Sequence, residues 1–385
     1  MRADMTPAHR LALFYATAFA GPGASLPFLP PFLAARGLGP EAIGQALALA
    51  MLARLVVAPS AGALADHLGD RRRVAAVFAL LAMAATALLL VTVPWVLALA
   101  VVLSGAANAP LIPIADSLAV RAAARGQGDF GRMRAAGSVS FMAVTGLAGA
   151  LIGAGGDVAL PLLLLTCQAA VVLASLALPA LDVGRAAPGG LGALALLSNR
   201  GFLLLLVVSG LIQGSHALYY AFSALHWGRA GLDPPLIGAL WVESVVVEVL
   251  LLTFGRRVVS RLGPVRLLAA GASAAVVRWI GTALTTAPLA LAILQPLHAA
   301  SFAMTMLGTA QLIGRLVPPE RGATAQSLHA SFGPGLATAL LTRASGVLYA
   351  RLEGRAFLAM AAVAAVALPV LAALARAAGP ERPGR

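Results

Sequence analysis

Residues 74–115, VAAVFALLAMAATALLLVTVPWVLALAVVLSGAANAPLIPIA, hold no charged side chain between Arg73 and Asp116. A helix rises 1.5 Å per residue, so about 20 apolar residues cross the roughly 30 Å hydrocarbon layer of a bilayer. At 42 residues the stretch amounts to two crossings, with a turn at Pro94 and Trp95. The same arithmetic carried outward gives spans at 11–33, 41–64, 74–93, 95–118, 135–155, 158–181, 201–227, 235–255, 266–287, 289–314, 322–348 and 356–376, twelve in all. Composition agrees: 60% of the 385 residues are hydrophobic, 11% are charged and the mean hydropathy is +0.92. A soluble domain holds about 45–50% apolar and about 25% charged residues. The apolar run after Arg10 continues through Pro31 and Phe32, so it reads as a retained first span and not as a signal peptide. The single cysteine, Cys167, can form no intrachain disulfide.

The chain carries a net charge of +13, and all 27 of its basic residues are arginine. Such a balance suggests nucleic acid when the charge clusters on a soluble face. Here the arginines punctuate apolar runs, so no nucleic-acid partner is expected. Twelve spans put both termini on one side. Twenty arginines then fall on that side, four (Arg36, Arg229, Arg351, Arg355) on the other, and three (Arg54, Arg278, Arg343) within spans. By the positive-inside rule the expectation is an integral protein of the cytoplasmic (inner) membrane with both termini cytoplasmic. The longest inside linker, with Pro188, Gly189 and Gly190, falls at mid-chain. The expected domains are an N-terminal six-helix bundle at 1–181, a cytoplasmic linker at 182–200 and a C-terminal six-helix bundle at 201–385. Placing Gly69 of the 62–73 loop on Gly263 of the 260–266 loop gives an internal offset of 194, near half the length, which supports a duplicated all-α transporter architecture.

The loop from Gly62 through Asp66 and Gly69 to Arg71, Arg72 and Arg73 resembles the signature between helices two and three of the major facilitator superfamily. Glycine permits close helix approach, Asp66 can cap or pair at a helix end, and the arginines hold the loop inside, so Gly62, Asp66, Gly69, Arg71 and Arg72 are expected to form a conformational loop or gate. His67 and Asp70 depart from the usual pattern, standing where basic residues are common. A narrower resemblance covers most of the chain. Asp129 to Ser138 with Arg132 and Arg134, Gln213 to Tyr220 with His216, Trp241 and Glu243 with Glu248, Val277-Arg278-Trp279, and Gln295 to His298 are similar to the phenylpropionate permease group, itself related to lactose-permease-like proton symporters. The resemblance implies two pseudo-symmetric six-helix bundles, alternating access and proton-coupled import, with the matching Glu and Arg in the substrate and proton region.

Ionisable groups within a span cost about 2.5–3.5 kcal/mol each on insertion scales, so each is a functional candidate. Arg54 lies near mid-membrane in span two, Glu243 and Glu248 in span eight, Arg278 in span nine. Spans eight and nine are antiparallel neighbours, so Glu243 or Glu248 is expected to meet Arg278; the two acids, five residues apart, point to different faces. A carboxylate beside arginine stays ionised, whereas one that loses its partner in a low-dielectric cavity takes up a proton. Glu248 is therefore read as the proton carrier and Arg278 as its counter-ion or as the anchor of an anionic substrate; the alternative is a structural ion pair. His298, or His216, can line the site, or each can merely bridge helices. Gln213, Tyr219, Tyr220, Trp241 and Gln295 are candidates to hydrogen-bond or stack on substrate. Arg54 meets no acid at matched depth in its own half and can bind a carboxylate, unless it pairs with Glu243 or Glu248. Asp116 is close in depth to Arg132 and Arg134, a gate-type or plain surface salt bridge. Gly21-Pro22-Gly23 with Pro27, Pro30 and Pro31 is expected to break span one, and Gly333-Pro334-Gly335 span eleven.

No metal-spaced Cys or His cluster and no phosphate-cradling loop occurs, so the chain is not expected to be an enzyme, and no cofactor is expected beyond the proton as coupling ion. The expected function is secondary active import with protons of a small organic carboxylate, aromatic ones included. A proton-driven drug or metabolite exporter and a sugar or nucleoside symporter are the alternatives. The expected partners are an anionic small molecule and the lipid bilayer, with a monomer sufficient.

Overall fold

The structure, a computed structural model, describes residues 5–181, 196–255, 259, 261–318 and 321–378, without the side chains of residues 157 and 323. No strand occurs among the described residues. Twelve helical rods do: α1 Pro7–Ala35, α2 Pro40–Leu68, α3 Arg71–Ala87, α4 Pro94–Ala124, α5 Phe130–Gly155, α6 Ala159–Leu176, α7 Arg200–Arg229, α8 Pro234–Phe254, α9 Pro264–Leu284, α10 Pro288–Leu316, α11 at 322–352 and α12 Ala356–Ala378. Eleven continuous stretches among the described residues are long and apolar enough to cross a membrane. The last of them covers 54 residues, about 81 Å of ideal helix, and so holds two crossings. It divides at a short turn, Glu353–Arg355, where Glu353 takes a left-handed φ of 48°.

The rods start earlier than the apolar runs alone suggest, because the first turns are fixed by caps and prolines and not by hydrophobicity. Asp129 accepts the Arg132 N–H at 2.8 Å, which draws residues 130–134, with Arg132 and Arg134 among them, into α5. Asp70 does the same for α3 through Arg73 (2.8 Å), and Asn199 for α7 through Phe202 (3.1 Å). Proline opens α2, α4, α9 and α10, where its missing N–H costs nothing.

Two compact units emerge: Met1–Ala187 with Gly231–Val242, and Pro188–Ala230 with Glu243–Arg385. Most of the sequence-read linker, residues 182–195, lies outside the described residues. In the first unit α1 packs on α5 and α6, α2 on α4, and α3 on α4 and α6; in the second, α7 packs on α11 and α12, and α9 on α10 and α12. Four of the five helix pairs named for the first unit thus recur six helices later in the second: α1–α5, α1–α6, α3–α4 and α3–α6. Backbone detail repeats with the same offset of 194: Gly37 (φ 89°) with Gly231 (φ 94°), and Gly69 (φ 66°) with Gly263 (φ 73°), each in the left-handed region that glycine enters freely. Pro40 with Pro234 and Pro94 with Pro288 begin the corresponding helices. By the same offset Arg54 of α2 corresponds to Glu248 of α8, each fourteen residues past its opening proline.

Three sequence expectations change. First, α1 is not broken: it stays helical through Pro22, Pro27, Pro30 and Pro31. Pro27 has no N–H for the Gly23 carbonyl, and the Thr145 hydroxyl of α5 stands 2.8 Å from that carbonyl and 2.8 Å from the Phe141 carbonyl, so that its one proton is shared between the two. A Cβ on Gly23 would stand 2.5 Å from the Phe141 carbonyl oxygen, so the glycine is what lets α5 come near enough. Second, span eleven is wound into a π turn at Ser331–Gly335 and not interrupted. Third, Gly62 is not a close-packing residue, since a Cβ there would meet nothing within 4 Å. In the same loop Asp66 pairs with Arg71.

Replacing Thr145 by Val should strand the Gly23 carbonyl in an apolar setting at a cost of about 1–3 kcal/mol. The expected outcome is a lower thermal unfolding midpoint of the detergent-purified protein, with Thr145→Ser close to the parent.

Candidate functional site

The second unit contains a cationic side chain with no exposure at all, Arg278 on α9. A guanidinium carries five N–H donors and no acceptor, so its burial demands lone pairs from its neighbours. Helix α10 supplies them. Pro296 cannot donate to the Ala292 carbonyl, the helix turns at Gln295 and Pro296, and a π turn follows at Ala299–Met304. Arg278 Nη2 donates to Gln295 Oε1 at 2.9 Å, and Nη1 to His298 Nδ1 at 2.9 Å. Tyr219 of α7 donates its hydroxyl to the same Gln295 oxygen at 3.1 Å. The guanidinium carbon lies 4.3 Å from the centroid of the Tyr219 ring and 4.9 Å from that of Trp279. Cation–π attraction thus supplements two hydrogen bonds, all to groups without formal charge.

These contacts fix a proton position. Arginine has no lone pair, so His298 Nδ1 receives its hydrogen bond and bears no proton. A neutral His298 ring therefore carries its proton on Nε2, which stands 3.4 Å from Glu248 Oε2 of α8. The order is Arg278, His298, Glu248. The direct contact expected between Glu248 and Arg278 is not made, because the break in α10 inserts the imidazole between them. Glu248 keeps 17% side-chain exposure, the wettest end of the chain of three. Glu243 forms no hydrogen bond or ion pair with a described residue and is coupled to the cluster only electrostatically, through Tyr219.

Around this axis His216 is fixed in its own tautomer. Its Nδ1 is 3.0 Å from the Ile212 carbonyl, an acceptor, so Nδ1 carries the proton and Nε2 accepts from the Ser301 hydroxyl at 3.0 Å. The His216 ring stacks on Tyr220 at 5.8 Å and meets the His298 ring edge-on at 5.5 Å. Trp279 donates its indole N–H to Ser215 at 2.9 Å, and Gln213 reaches the Phe302 carbonyl at 3.4 Å. Of the sequence candidates, His216, Gln213, Tyr220, Gln295, His298, Arg278 and Glu248 converge here. Ser215 and Ser301 join them as residues that sequence reasoning does not single out. Ser301 lies three residues after His298, on the same helix face, which is the signal that could have found it.

Two of the substrate candidates belong to the first unit. Trp241 is buried in the opening part of α8. Arg54 is four residues past buried Ala50 and seven before buried Ala61, on the face that α2 turns toward the protein, yet it is exposed and makes no hydrogen bond or ion pair with a described residue. The first unit also holds Asp116, which takes a bond from Arg134 at 2.5 Å and one from the Tyr15 hydroxyl at 2.7 Å. Arg134 also lies over the rings of Tyr15 and Phe19. Arg132, expected as an equal partner, is exposed and takes no part.

A test of the geometry is the shared oxygen of Gln295. Gln295→Leu should leave both the buried guanidinium and the Tyr219 hydroxyl short of an acceptor, a loss of about 3 kcal/mol, seen as early thermal unfolding. Gln295→Glu, which still accepts both bonds, should retain the fold.

The family described as MFS_1 like family matches residues 8–359. The chain is 31% identical over 371 residues to the probable 3-phenylpropionic acid transporter of Escherichia coli (strain K12), covering 92% of this chain and 94% of that protein. It is 29% identical over 352 residues to the maltose permease of Geobacillus stearothermophilus, covering 89% and 87%. Among solved structures it superposes on the nucleoside transporter NupG with a TM-score of 0.84 at 18% identity (96% and 99% covered). A bacterial homolog of the human lysosomal transporter Spinster gives 0.74 at 14% identity (96% of each). At these identities the structural likeness speaks for the fold alone.

Proposed function

The chain belongs to the MFS_1-like family, an integral membrane protein and secondary transporter of the major facilitator fold and not an enzyme, and from that premise we propose that it imports a small organic carboxylate together with protons by alternating access. The observation that carries the reading is the axis Arg278–His298–Glu248, in which a fully buried cation touches only neutral groups and the one acid of the cluster is held off by an imidazole. When Glu248 is ionised, it balances Arg278 across the ring. When Glu248 takes a proton, no anion remains in the cluster to balance Arg278, and an anionic substrate satisfies it best. Proton and anion then favour each other's binding, and by linkage the coupling is reciprocal.

An aromatic carboxylate fits this chemistry. The rings of Tyr219, Tyr220, Trp279 and Phe302 surround the cluster, and the E. coli relative is described as a probable transporter of 3-phenylpropionic acid. Arg54 is a second cation free to meet a carboxylate with a bidentate grip. His298 acts as the conduit and not as the resting carrier, because a second proton on Nδ1 would displace the Arg278 bond. The protein is taken to lie in the cytoplasmic (inner) membrane with both termini inside and to work as a monomer, the arginine distribution being the support for the orientation. The Asp116–Arg134 pair in the first unit suits a salt bridge that opens and closes with the transport cycle.

The deciding experiment is uptake of labelled aromatic carboxylates, sugars and nucleosides into liposomes containing the purified protein, with and without an inward proton gradient. A carboxylate should accumulate only with the gradient. Export of preloaded drug-like compounds under the opposite gradient, with no uptake, would overturn the reading. Glu248→Gln should abolish gradient-driven accumulation while leaving gradient-independent exchange of labelled for unlabelled substrate; accumulation retained in this variant would remove the proton role from Glu248. Arg54→Gln should raise KM for carboxylates about tenfold or more, the size expected for losing one charge-assisted contact.

A further inference from the structure

Apart from the transport residues, one cavity of the first unit has the composition of a binding site. A groove of about 690 Å³ lies at the head of α3, with Arg71, Arg72 and Arg73 along its mouth, Val77 and Leu80 further up the helix, and Leu176 at the end of α6 on the facing wall. The three arginines are not equivalent. Arg71 is engaged by Asp66, and Arg73 is held loosely by Asp70 at 3.7 Å with 78% of its side chain exposed. Arg72 is half-buried and makes no hydrogen bond or ion pair with a described residue. Asp70 also lines the mouth, but it is occupied in capping the Arg73 N–H. Three cations against Asp66 and Asp70 leave one positive charge, and the N–H end of α3 adds to it.

The apolar part of the groove is in register with the cationic part. Arg73, Val77 and Leu80 are spaced i, i+4 and i+7, on one face of α3. Val77 and Leu80 are large hydrophobic residues left 49% and 48% exposed. They lie about 6 and about 10 Å along the helix from Arg73. A cation at the level of the polar headgroups, followed within one and two turns by exposed aliphatic side chains, repeats the order of groups along a phospholipid. A soluble anion would use the arginines and leave the leucines unused; an apolar protein segment would use the leucines and leave Arg72 unpaired.

We propose that this groove binds an anionic phospholipid, its phosphodiester at Arg72 and Arg73 and its first acyl segment along Val77, Leu80 and Leu176. The site is separate from the transport residues, and its occupancy does not depend on the substrate. The test is native mass spectrometry of the full-length purified protein released from micelles containing equal amounts of phosphatidylglycerol and phosphatidylcholine with identical chains. The wild type should retain phosphatidylglycerol in preference. R72Q/R73Q should lower that preference about fivefold per arginine removed, and R72K/R73K should restore most of it, which separates lost charge from lost folding. L80N should lower retention of the lipid without changing the response to charge. Equal retention of the two lipids by the wild type, or an unchanged ratio in R72Q/R73Q, would overturn the proposal. So would full displacement of the lipid by soluble glycerol phosphate, because the groove would then be a site for small anions.

Discussion

A guanidinium enclosed in the middle of a membrane helix bundle is the constraint on which the second unit is built. Arg278 cannot shed its charge and has only donors to offer, so every neighbour must bring an acceptor or a π face. An unbroken α10 would bury its own carbonyls in the helix and present a simple apolar stripe. The proline at 296 and the wide turn after His298 rotate Gln295 and His298 toward α9 instead. Tyr219 and Trp279 then cover the flat faces of the cation. The irregularity of α10 thus serves one buried charge. The same charge fixes the tautomer of His298 and makes Glu248 the only group of the axis with both an acidic proton site and contact with water.

The duplicated scaffold makes the chemistry of the two units comparable position by position. Left-handed glycines and helix-opening prolines recur at an offset of 194, because the turns they form are needed in both halves. At the corresponding points of α2 and α8 the repeat keeps the depth and inverts the charge: Arg54 in one, Glu248 in the other. The first unit has no equivalent of the axis, since Ala84 and Ser104 stand where Arg278 and His298 would be. Its own cluster, Tyr15–Asp116–Arg134, uses residues whose counterparts by the same offset are Ser209, Ala310 and Leu328. The shared part of the sequence specifies turns and packing; the divergent part specifies the sites.

The number of crossings was legible because apolar length against bilayer thickness leaves little freedom, and the ends missed by a few residues were those set by caps such as Asp129. The membership of the site was legible for a similar reason: an ionisable group inside a span is rare enough to single itself out. Its connectivity was not. Periodicity puts Glu248 and Arg278 at similar depths, but it carries no information on whether a third helix inserts a side chain between them. That depended on Pro296, whose effect on the direction of α10 is a matter of three-dimensional packing. Ser215 and Ser301 escaped notice because a hydroxyl in a membrane helix usually bonds to its own backbone, and only the placement of His216 and Trp279 gives these two another task.

Proline also explains a difference in character between the units. In α1 four internal prolines leave the helix intact, since α5 stands close enough over Gly23 for Thr145 to take up a carbonyl that Pro27 releases. There the defect is repaired from outside and the rod remains a regular element. In α10 and α11 the chain absorbs its prolines by winding wider, at Ala299–Met304 and Ser331–Gly335. A wide turn has fewer well-formed backbone bonds to lose than a regular one, and it leaves carbonyls that side chains can exchange for one another. One such turn begins directly after His298, so the residue between the cation and the acid borders a segment of irregular helical geometry. A shift of one hydrogen bond in that turn would move the imidazole relative to both partners, whereas the same displacement in a regular helix would have to break the ladder on each side.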